Sequence, residues 1–260
     1  MQQNYKQKGI VLAGGTATRL FRMTRHISKQ LLPVYNKPCV FYPIQTLKNG
    51  GITEIALIIK EKDYIFFYDL LGCGEEFGIN IEYIFQKEPK GIAEAYILAE
   101  EFLSDADSTA LILGDNLFLD PTISEKIKNS EIDDNKVFLY RTENAQRYGV
   151  ANVDWENKRI LDIEEKPEVP KSQFAVTGLY LFDKSAIEKA KTLTPSARGE
   201  VEITDISNAF IAEGKLSFEV LEQTSSRWYD CGTFDSLVEA ALYVGYQENQ
   251  RGVKWGDLRS

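Results

Sequence analysis

Short apolar runs alternate with amphipathic stretches through the first half of the chain. Most of the runs are continuous and rich in β-branched residues, which is typical of strands buried on both faces of a parallel sheet. They predict strands at 10–12, 55–59, 80–85 and 109–113. The stretches between them have helical spacing and predict helices at 40–49, 63–71 and 92–103. This alternation predicts a three-layer, Rossmann-like α/β fold on a mostly parallel sheet.

From residue 136 onward the pattern changes to closely spaced strands with a better alternation of apolar and polar residues. The pattern predicts strands at 137–141, 149–154, 159–164, 175–182 and 216–221, with helices at 184–191 and 202–213. A last amphipathic helix places five apolar residues on one side: Phe234, Leu237, Val238, Ala241 and Leu242. No linker or repeat divides the chain, so we expect one domain over 1–260 with two halves, about 8–118 and about 119–260.

The composition excludes several classes of protein. The formal net charge of −9 argues against nucleic acid or an anionic membrane as the main partner. No apolar run approaches the length of about 20 residues that a membrane span needs, and the polar start of the chain lacks the apolar middle of a secretion signal. The three cysteines have no metal-like spacing and fit a reducing compartment. We therefore expect a cytoplasmic protein.

Two glycines follow the first predicted strand. Gly14 and Gly15 stand where a buried parallel strand ends, and this is the edge at which open α/β sheets hold ligands. Glycine lets backbone N–H groups approach an anion closely, while Arg19 and Lys29 supply the opposite charge. The full spacing predicts a phosphate-binding loop, whereas the glycines alone also fit a plain tight turn.

Asp115 and Asp230 are candidate Mg²⁺ ligands. Asp115 follows a buried strand and Gly114, which puts its carboxylate at the same sheet edge as the glycine loop. Mg²⁺ prefers one or two carboxylates together with phosphate oxygens and water, so a second acid is needed. Asp230 is the best candidate because it lies between apolar residues and a helix opened by Gly232. For each aspartate the alternative is a helix cap or a turn.

Two further motifs are ambiguous when they are taken alone. The run Glu164-Glu165-Lys166-Pro167 ends a predicted strand, and such charge runs are usually solvated. Arg147-Tyr148-Gly149 fits the simple start of a strand as well as a ligand site.

Several signatures of other enzyme classes are missing. The chain has no Gly-x-Gly-x-x-Gly fingerprint and no Gly-x-x-x-x-Gly-Lys loop, which disfavours a dehydrogenase and a P-loop NTPase. Its single histidine, His26, gives little support for a serine or cysteine triad.

In combination, the motifs resemble those of the sugar-1-phosphate nucleotidylyltransferases. The similarity covers almost the whole chain in order: 8–20, 28–33, 114–116, 147–150, 164–167, 175–180, 196–205 and 228–233. It implies a nucleotidyltransferase domain of the glycosyltransferase-A-like type. The half at about 8–118 would bind the nucleotide, and the half at about 119–260 would carry an inserted, β-rich sugar-binding lobe.

The resemblance also implies roles for individual residues. The residues implied in nucleotide binding are Leu12, Gly14, Gly15, Arg19, Lys29, Gln30, Gln86 and Gly91. Those implied in sugar binding are Ile92, Tyr148, Gly149, Glu165, Lys166, Val176 and Tyr180. The implied catalytic group is Arg19, Lys29, Asp115, Lys166 and Asp230. In this scheme Gln86 and Gly91 face the base, the two aspartates hold Mg²⁺, and Lys166 contacts the sugar phosphate.

The implied activity is Mg²⁺-dependent transfer of a nucleotidyl group from dTTP to glucose 1-phosphate, giving dTDP-glucose and pyrophosphate for polysaccharide biosynthesis. An oxygen of the sugar phosphate is already an anionic nucleophile, so the reaction needs charge neutralisation and in-line alignment rather than a protein nucleophile. The alternatives are an enzyme that uses UTP or another hexose 1-phosphate, and a catalytically silent homologue that binds a nucleotide sugar.

Three features depart from the family pattern. Ala17 stands where the loop usually has a second glycine, and Lys90 stands where close relatives more often carry aspartate. The sequence ends soon after Trp255, whereas the long form of these enzymes continues through further helices tied to effector binding and assembly. The expected partners are small-molecule substrates, and a homo-oligomer is compatible with the resemblance.

Overall fold

A computed structural model describes residues 5–15 and 18–259. Strands and helices alternate in the first part of the chain and strands predominate in the middle, which gives a mixed α/β fold. Two compact units are each assembled from three stretches. The Gly-loop unit comprises the described residues of 8–89, 112–129 and 227–259, and the β-rich unit those of 5–7, 90–111 and 130–226.

The secondary structure has the following bounds. The strands are β1 (Gln7–Leu12), β2 (Pro33–Val34), β3 (Lys37–Pro38), β4 (Glu54–Ile59), β5 (Asn80–Phe85), β6 (Ser108–Leu113), β7 (Asn116–Leu119), β8 (Asn135–Arg141), β9 (Gly149–Asp154), β10 (Arg159–Glu165), β11 (Phe174–Asp183), β12 (Leu216–Val220) and β13 (Arg227–Asp230). The helices are α1 (Phe21–Thr24), α2 (Phe41–Asn49), α3 (Tyr64–Leu71), α4 (Glu94–Leu98), α5 (Ile123–Lys128), α6 (Ser185–Thr192), α7 (Ile203–Ala212) and α8 (Phe234–Arg251). Among these described helices, none combines the length and the apolar character that crossing a membrane requires.

The Gly-loop unit contains a parallel sheet in which β4 lies between β1 and β5. β1 pairs with β4 and β4 pairs with β5 in parallel, with Gly9 opposite Ile55 and Glu54 opposite Asn80. Every residue from Ile55 to Ile59 is fully buried. Burial on both faces explains why this strand is a continuous apolar run rather than an alternating one.

A two-stranded antiparallel ribbon of β7 and β13 also belongs to the Gly-loop unit. Its register places Trp228 opposite Phe118 and Asp230 opposite Asn116. Trp228 Nε1 donates a hydrogen bond of 2.7 Å to Asn116 Oδ1, which fixes the pairing inside the core. The ribbon therefore brings together two segments that lie far apart in the sequence.

The β-rich unit contains antiparallel pairs of β10 with β9, β9 with β11 and β11 with β8, while β12 pairs with β8 in parallel. The hairpin of β9 and β10 places Gly149 opposite Glu165. The pairing of β11 with β8 is interrupted between Val176 and Tyr180. Such a bulge redirects the side chains that follow it.

Most predicted elements are present close to their predicted bounds, but one expectation is wrong. The helix expected at 92–103 is shorter, because α4 ends at Leu98. The apolar residues predicted for one side of the last helix differ in burial: Leu237 is buried, whereas Phe234, Val238 and Leu242 are exposed. The two compact units are also interleaved in the sequence, so the division of function near residue 118 stays a prediction.

Candidate active site

The glycine loop begins where β1 ends at Leu12. The Leu12 carbonyl accepts a hydrogen bond of 2.9 Å from the Gly114 N–H, which ties the loop to the end of β6. A Cβ atom on Gly14 would lie 2.1 Å from Gln86 Oε1, so glycine is needed for Gln86 to pack against the loop. Gly15 is exposed, and a Cβ atom there would meet nothing within 4 Å. In this loop Gly14 is therefore packed against Gln86, whereas the space beside the Gly15 Cα atom is free.

Ala17 lies outside the described residues, so the effect predicted for it stays a prediction. Gln30 is 2% exposed, and Ser28 Oγ donates a hydrogen bond of 2.5 Å to its Oε1. Its Cγ atom would lie 3.1 Å from a Cβ atom on Gly114. The structure thus places Gln30 inside the packing that supports the loop.

Lys29 and Asp115 form a buried ion pair in which Lys29 Nζ donates a hydrogen bond to Asp115 Oδ2. Their side chains are only 15% and 9% exposed. Burial by itself lowers the pKa of Lys29 and raises the pKa of Asp115. The charge and the hydrogen bond of the partner outweigh burial in both cases, so the pKa of Lys29 is raised and the pKa of Asp115 is lowered. Both side chains are therefore charged at neutral pH.

Asp230 ends β13, and the ribbon brings it to the same place as Asp115. Its charge contributes to the raised pKa of Lys29, after the larger effects of burial and of Asp115. Arg19 Nη2 lies 4.0 Å from Asp230 Oδ2, and the Arg19 side chain is 55% exposed. We call these four residues, two cations and two carboxylates, the aspartate cluster. The structure brings all four together, as the sequence analysis expects.

The donor set of the aspartate cluster fits Mg²⁺. Carboxylate oxygens are the hard ligands that this ion prefers, and the ion usually takes one or two of them together with phosphate oxygens and water. Within the described residues no three His, Cys, Asp or Glu side chains form a group that could hold a metal by themselves. Asp115 and Asp230 together supply the one or two carboxylates that such an ion takes.

A second cluster lies in the β-rich unit around Glu165, the last residue of β10. Glu165 Oε2 accepts a hydrogen bond of 2.6 Å from Thr204 Oγ1, and its Oε1 accepts one of 3.2 Å from Arg198 Nη1. Lys166 Nζ lies 3.4 Å from the same Oε1. We call Glu165, Lys166, Arg198 and Thr204 the Glu165 cluster. The charge run predicted here as an ambiguous strand end is thus part of a network.

Lys166 has an unusual backbone, with φ at +45°. This left-handed conformation costs an L-residue roughly 1–2 kcal/mol. The Lys166 N–H donates a hydrogen bond of 3.0 Å to the Tyr148 carbonyl, which holds the strained turn in place. The guanidinium of Arg147 stacks at 5.6 Å over the ring of Tyr148. The Lys166 side chain is 44% exposed, so its ammonium group is accessible to a ligand.

Two other residues implied in sugar binding, Gly149 and Tyr180, lie close to Glu165. Gly149 pairs with Glu165, and a Cβ atom on Gly149 would lie 3.4 Å from Glu165 Oε2. Val176 and Tyr180 are buried on β11, one on each side of its bulge. Burial, with a smaller contribution from Glu165, raises the pKa of the Tyr180 hydroxyl. Tyr180 is therefore neutral and can act only as a neutral hydrogen-bonding group.

Gly91 is held against the backbone of Val201 within the β-rich unit. Its φ is +112°, and a Cβ atom would lie 2.2 Å from the Val201 carbonyl oxygen, so no other residue fits. Ile92, the next residue, is half-buried. Gln86 belongs to the Gly-loop unit. The two residues expected to face the base therefore come from different compact units.

Arg198 and Thr204 are the two members of the Glu165 cluster that the sequence analysis assigns no role. Both lie within the matching motif at 196–205. The local signal is weak, since Arg198 stands among the acids Glu200 and Glu202 and has the appearance of a solvated charge run. Only the fold shows that Arg198 reaches Glu165.

A family model described as nucleotidyl transferase matches residues 8–246. The glucose-1-phosphate thymidylyltransferase of Neisseria meningitidis is 46% identical over 244 residues, which are 93% of this chain and 84% of the relative. The relative of the same name from Mycobacterium tuberculosis is 44% identical over 248 residues, covering 95% of this chain and 85% of its own length. The predicted resemblance is confirmed.

Solved structures give the same result for the fold. A Bacillus anthracis protein assigned as a glucose-1-phosphate thymidylyltransferase, solved in complex with a sucrose, has a TM-score of 0.85 at 38% identity and covers 97% of this chain and 98% of its own. A UDP-glucose pyrophosphorylase has a TM-score of 0.82 at 22% identity, covering 94% of this chain and all of its own. At that identity the second match supports the fold alone. The predicted fold class is confirmed, and the chain belongs to the nucleotidyl transferase family.

Proposed function

We propose that this enzyme transfers the thymidylyl group of dTTP to glucose 1-phosphate, giving dTDP-glucose and pyrophosphate, and that it requires Mg²⁺. The observation that carries the proposal is the aspartate cluster, in which two cations and two carboxylates converge beside the glycine loop. The names of relatives at 41–46% identity support the choice of nucleotide and sugar phosphate.

The chemistry explains why the site needs no protein nucleophile. An oxygen of the sugar phosphate forms a new bond to the α-phosphorus of dTTP, and the bond from that phosphorus to the pyrophosphate oxygen breaks. The attacking oxygen is already anionic, and the leaving pyrophosphate needs charge neutralisation rather than a proton. Fixed positive charges and in-line positioning are therefore the main requirements.

The Gly-loop unit would hold the triphosphate of the nucleotide. The backbone at Gly14 and Gly15 and the exposed guanidinium of Arg19 suit the β- and γ-phosphates and the departing pyrophosphate. Lys29, held in place by Asp115, suits the α-phosphate. Bound between Asp115 and Asp230, Mg²⁺ would supply further neutralisation of the phosphate oxygens.

The remaining residues implied in nucleotide binding have supporting positions. Leu12 ends β1 at the start of the loop, and Gln30 packs below it. Gln86 and Gly91 are assigned to the base. Lys90, the residue before Gly91, places a positive charge next to this position, and UTP is the main alternative to dTTP.

The β-rich unit would hold the sugar phosphate. Lys166 and Arg198 are the cations of the Glu165 cluster and suit its phosphate group. The Glu165 carboxylate can accept hydrogen bonds from sugar hydroxyls, because its pairing with two cations keeps it in place as an acceptor. The other residues that we assign to the sugar are Ile92, Tyr148, Gly149, Val176 and Tyr180.

We assign the reaction to the cytoplasm and to nucleotide-sugar supply for polysaccharide biosynthesis. Nucleoside triphosphates are cytoplasmic substrates. In the part of the chain that the structure describes, Cys39, Cys73 and Cys231 are free thiols, which fits a reducing compartment.

A panel of nucleoside triphosphates and hexose 1-phosphates, with pyrophosphate release as the readout, tests the proposal. We expect the highest kcat/KM for dTTP with glucose 1-phosphate, and loss of the signal when the divalent ion is chelated. A preference for UTP or for another hexose 1-phosphate would show that the proposed substrates are wrong and that the proposed type of reaction is right. Binding of a nucleotide sugar without turnover of any pair would identify a catalytically silent homologue and overturn the proposal.

A further inference from the structure

Tyr96 of α4 is completely buried, and its hydroxyl has no hydrogen-bond partner among the described residues. Only one other buried side-chain hydroxyl in the part of the chain that the structure describes is unpaired in this way, that of Thr177. A buried hydroxyl without a partner costs free energy, because water solvates it in the unfolded chain. Phenylalanine would fill the same space without this cost. Packing alone therefore does not explain the hydroxyl of Tyr96.

The Tyr96 ring belongs to an aromatic cluster inside the β-rich unit. It stacks on Phe182 with 6.2 Å between the ring centroids, and Phe182 lies 5.9 Å from the ring of Tyr180. Phe210 lies 5.0 Å from Phe182 on α7. Each of these four side chains is at most 5% exposed. The cluster therefore holds the Tyr96 ring in place and connects it to Tyr180.

Tyr96 is next to two residues of the proposed sugar site. One of them is Tyr180, which the aromatic cluster connects to Tyr96 through a single ring. The other is Ile92, which lies one turn before Tyr96, because the Ile92 carbonyl accepts a hydrogen bond of 3.1 Å from the Ala95 N–H. Tyr96 therefore supports this site from the interior of the β-rich unit.

The hydroxyl of Tyr96 is neutral. Burial raises its pKa well above the ordinary value, and the charges of Tyr180 and Asp183 make smaller contributions in the same direction. The pKa of Tyr180 is raised by burial and, to a smaller extent, by Glu165. The two hydroxyls and the Glu165 carboxylate thus form a series of neighbours. A neutral tyrosine hydroxyl can donate one hydrogen bond and accept others at the same oxygen, so it can link two groups.

We propose that Tyr96 is a positioning residue of the sugar site, whose hydroxyl donates a hydrogen bond to the Tyr180 oxygen when the sugar phosphate binds. This inference rests on the proposed function, since the ligand is a sugar phosphate. While the Tyr180 oxygen accepts the bond from Tyr96, its own hydrogen is left for an oxygen of the sugar. Hydrogen bonds in such a chain strengthen one another. Tyr96 thus acts through Tyr180 and does not touch the ligand.

The backbone of β11 is irregular beside Tyr180. The register of β11 with β8 shifts between Val176 and Tyr180. Thr177, the second residue with an unpaired buried hydroxyl, lies in the same stretch. Bulges are common beside active sites, where they redirect a side chain. A small adjustment of Tyr180 towards Tyr96 therefore disturbs fewer regular ladder hydrogen bonds here than elsewhere in the strand.

Tyr96→Phe tests the proposal because it removes the hydroxyl and keeps the ring. We expect the KM for glucose 1-phosphate to rise by about fivefold, as for the loss of one neutral hydrogen bond. The kcat should stay within about twofold, because the bond is present in the bound substrate and in the transition state alike. The melting temperature of the free enzyme should not fall, since the lost hydroxyl has no partner there. Pyrophosphate release and thermal unfolding measure these effects.

Tyr42→Phe is the matched control. Tyr42 is also buried, at 2% exposed, but its hydroxyl donates a hydrogen bond of 2.7 Å to the Val34 carbonyl. Removing that hydroxyl should lower the melting temperature and leave the KM for glucose 1-phosphate unchanged. A general effect of losing a buried hydroxyl would change both variants in the same direction.

A double-mutant cycle tests whether Tyr96 acts through Tyr180. Tyr180→Phe should raise the KM for glucose 1-phosphate, and adding Tyr96→Phe should change it by less than about 1.5-fold further. Two effects that simply multiply would overturn the route through Tyr180. An unchanged KM in Tyr96→Phe would overturn the whole inference and leave the proposed function intact. A wild-type chain that turns over no substrate pair would instead overturn the proposed function, and this inference with it.

Discussion

Two lysines, one in each compact unit, carry similar charges in very different settings. Lys29 is 15% exposed and is held by Asp115 in a buried ion pair. Lys166 is 44% exposed, stands on a left-handed backbone and lies at the edge of a network that also contains Arg198. The first lysine is fixed by its partner, and the second is fixed by its backbone and left accessible.

Substitutions in the two clusters should therefore have different effects on stability. Removing one partner of a buried pair leaves an unpaired buried charge, so changes in the aspartate cluster should affect folding and activity together. Changes at an exposed ion pair cost little stability. In the Glu165 cluster, activity should therefore change with little loss of stability.

The largest effect is expected for Asp115→Asn. Loss of the carboxylate should lower turnover by about 1,000-fold or more, as for loss of a central electrostatic group. It should also lower the free energy of unfolding by about 3 kcal/mol, because Lys29 keeps its charge in a buried site. Pyrophosphate release and urea unfolding measure the two effects.

Two controls separate these effects of Asp115→Asn. Adding Lys29→Met should restore part of the stability but none of the turnover. Asp120→Asn changes another buried aspartate of the same unit, whose Oδ1 accepts hydrogen bonds from the Thr122 N–H and hydroxyl, and it should leave turnover within about threefold. Full activity of the Asp115→Asn variant would show that the Asp115 carboxylate has no role in the reaction.

The next effect concerns Gly91 of the β-rich unit. Gly91→Ala should lower the free energy of unfolding by about 3 kcal/mol, because its Cβ atom would meet the backbone of Val201 in a conformation that favours glycine. Gly199→Ala is the control, since φ is +73° but nothing lies within 4 Å of the new Cβ atom. It should cost only about 1 kcal/mol. Equal losses in urea unfolding would mean that the contact with Val201 is unimportant.

Gly14 provides the corresponding test in the Gly-loop unit. A Cβ atom on Gly14 meets the flexible side chain of Gln86 rather than backbone, so Gly14→Ala should cost about 1–2 kcal/mol. Gly15→Ala, with no neighbour within 4 Å, should change stability by less than about 0.5 kcal/mol. Thermal unfolding compares the two variants. A larger loss for Gly15→Ala would contradict the packing of the loop.

The smallest effect concerns Asp183, a carboxylate of the β-rich unit held mainly by neutral donors. Burial raises its pKa, but hydrogen bonds from Ser185 and Asn135 outweigh burial, so the pKa is lowered. Such a group stabilises the fold above its unfolded pKa of about 3.9, and this contribution is lost as the pH falls through the folded pKa. Asp183→Asn should cost about 1 kcal/mol at neutral pH.

Urea unfolding at a series of pH values tests this assignment. The difference in stability between the wild-type chain and Asp183→Asn should shrink as the pH falls below about 4. A difference that stays constant well below pH 4 would show that the charge of Asp183 contributes nothing.

The sequence predicted the regions of the fold in which local pattern decides structure. The strand at 55–59 is a continuous apolar run because both faces of its sheet are buried, and this signal is local. The convergence of Asp115 and Asp230 was also expected. The ribbon of β7 and β13 that produces it was not, since four-residue strands that pair across a long stretch of chain leave no local periodicity.

The features that escaped prediction depend on tertiary contacts. A residue before proline normally has an extended backbone, so the sequence does not indicate that the backbone of Lys166 is left-handed. Arg198 has the local appearance of a solvated charge, and its contact with Glu165 follows only from the fold. For α8, the periodicity gives the apolar positions but does not tell which of two apolar faces is buried.

The central claim is that the Gly-loop unit binds the triphosphate of the nucleotide and the β-rich unit binds the sugar phosphate. Lys166→Ala tests it most directly, with dTTP affinity measured by calorimetry and the KM for glucose 1-phosphate by pyrophosphate release. We expect the KM to rise by about tenfold or more, while the Kd for dTTP stays within about twofold. An equal loss of affinity for both substrates would contradict the division of labour between the two units.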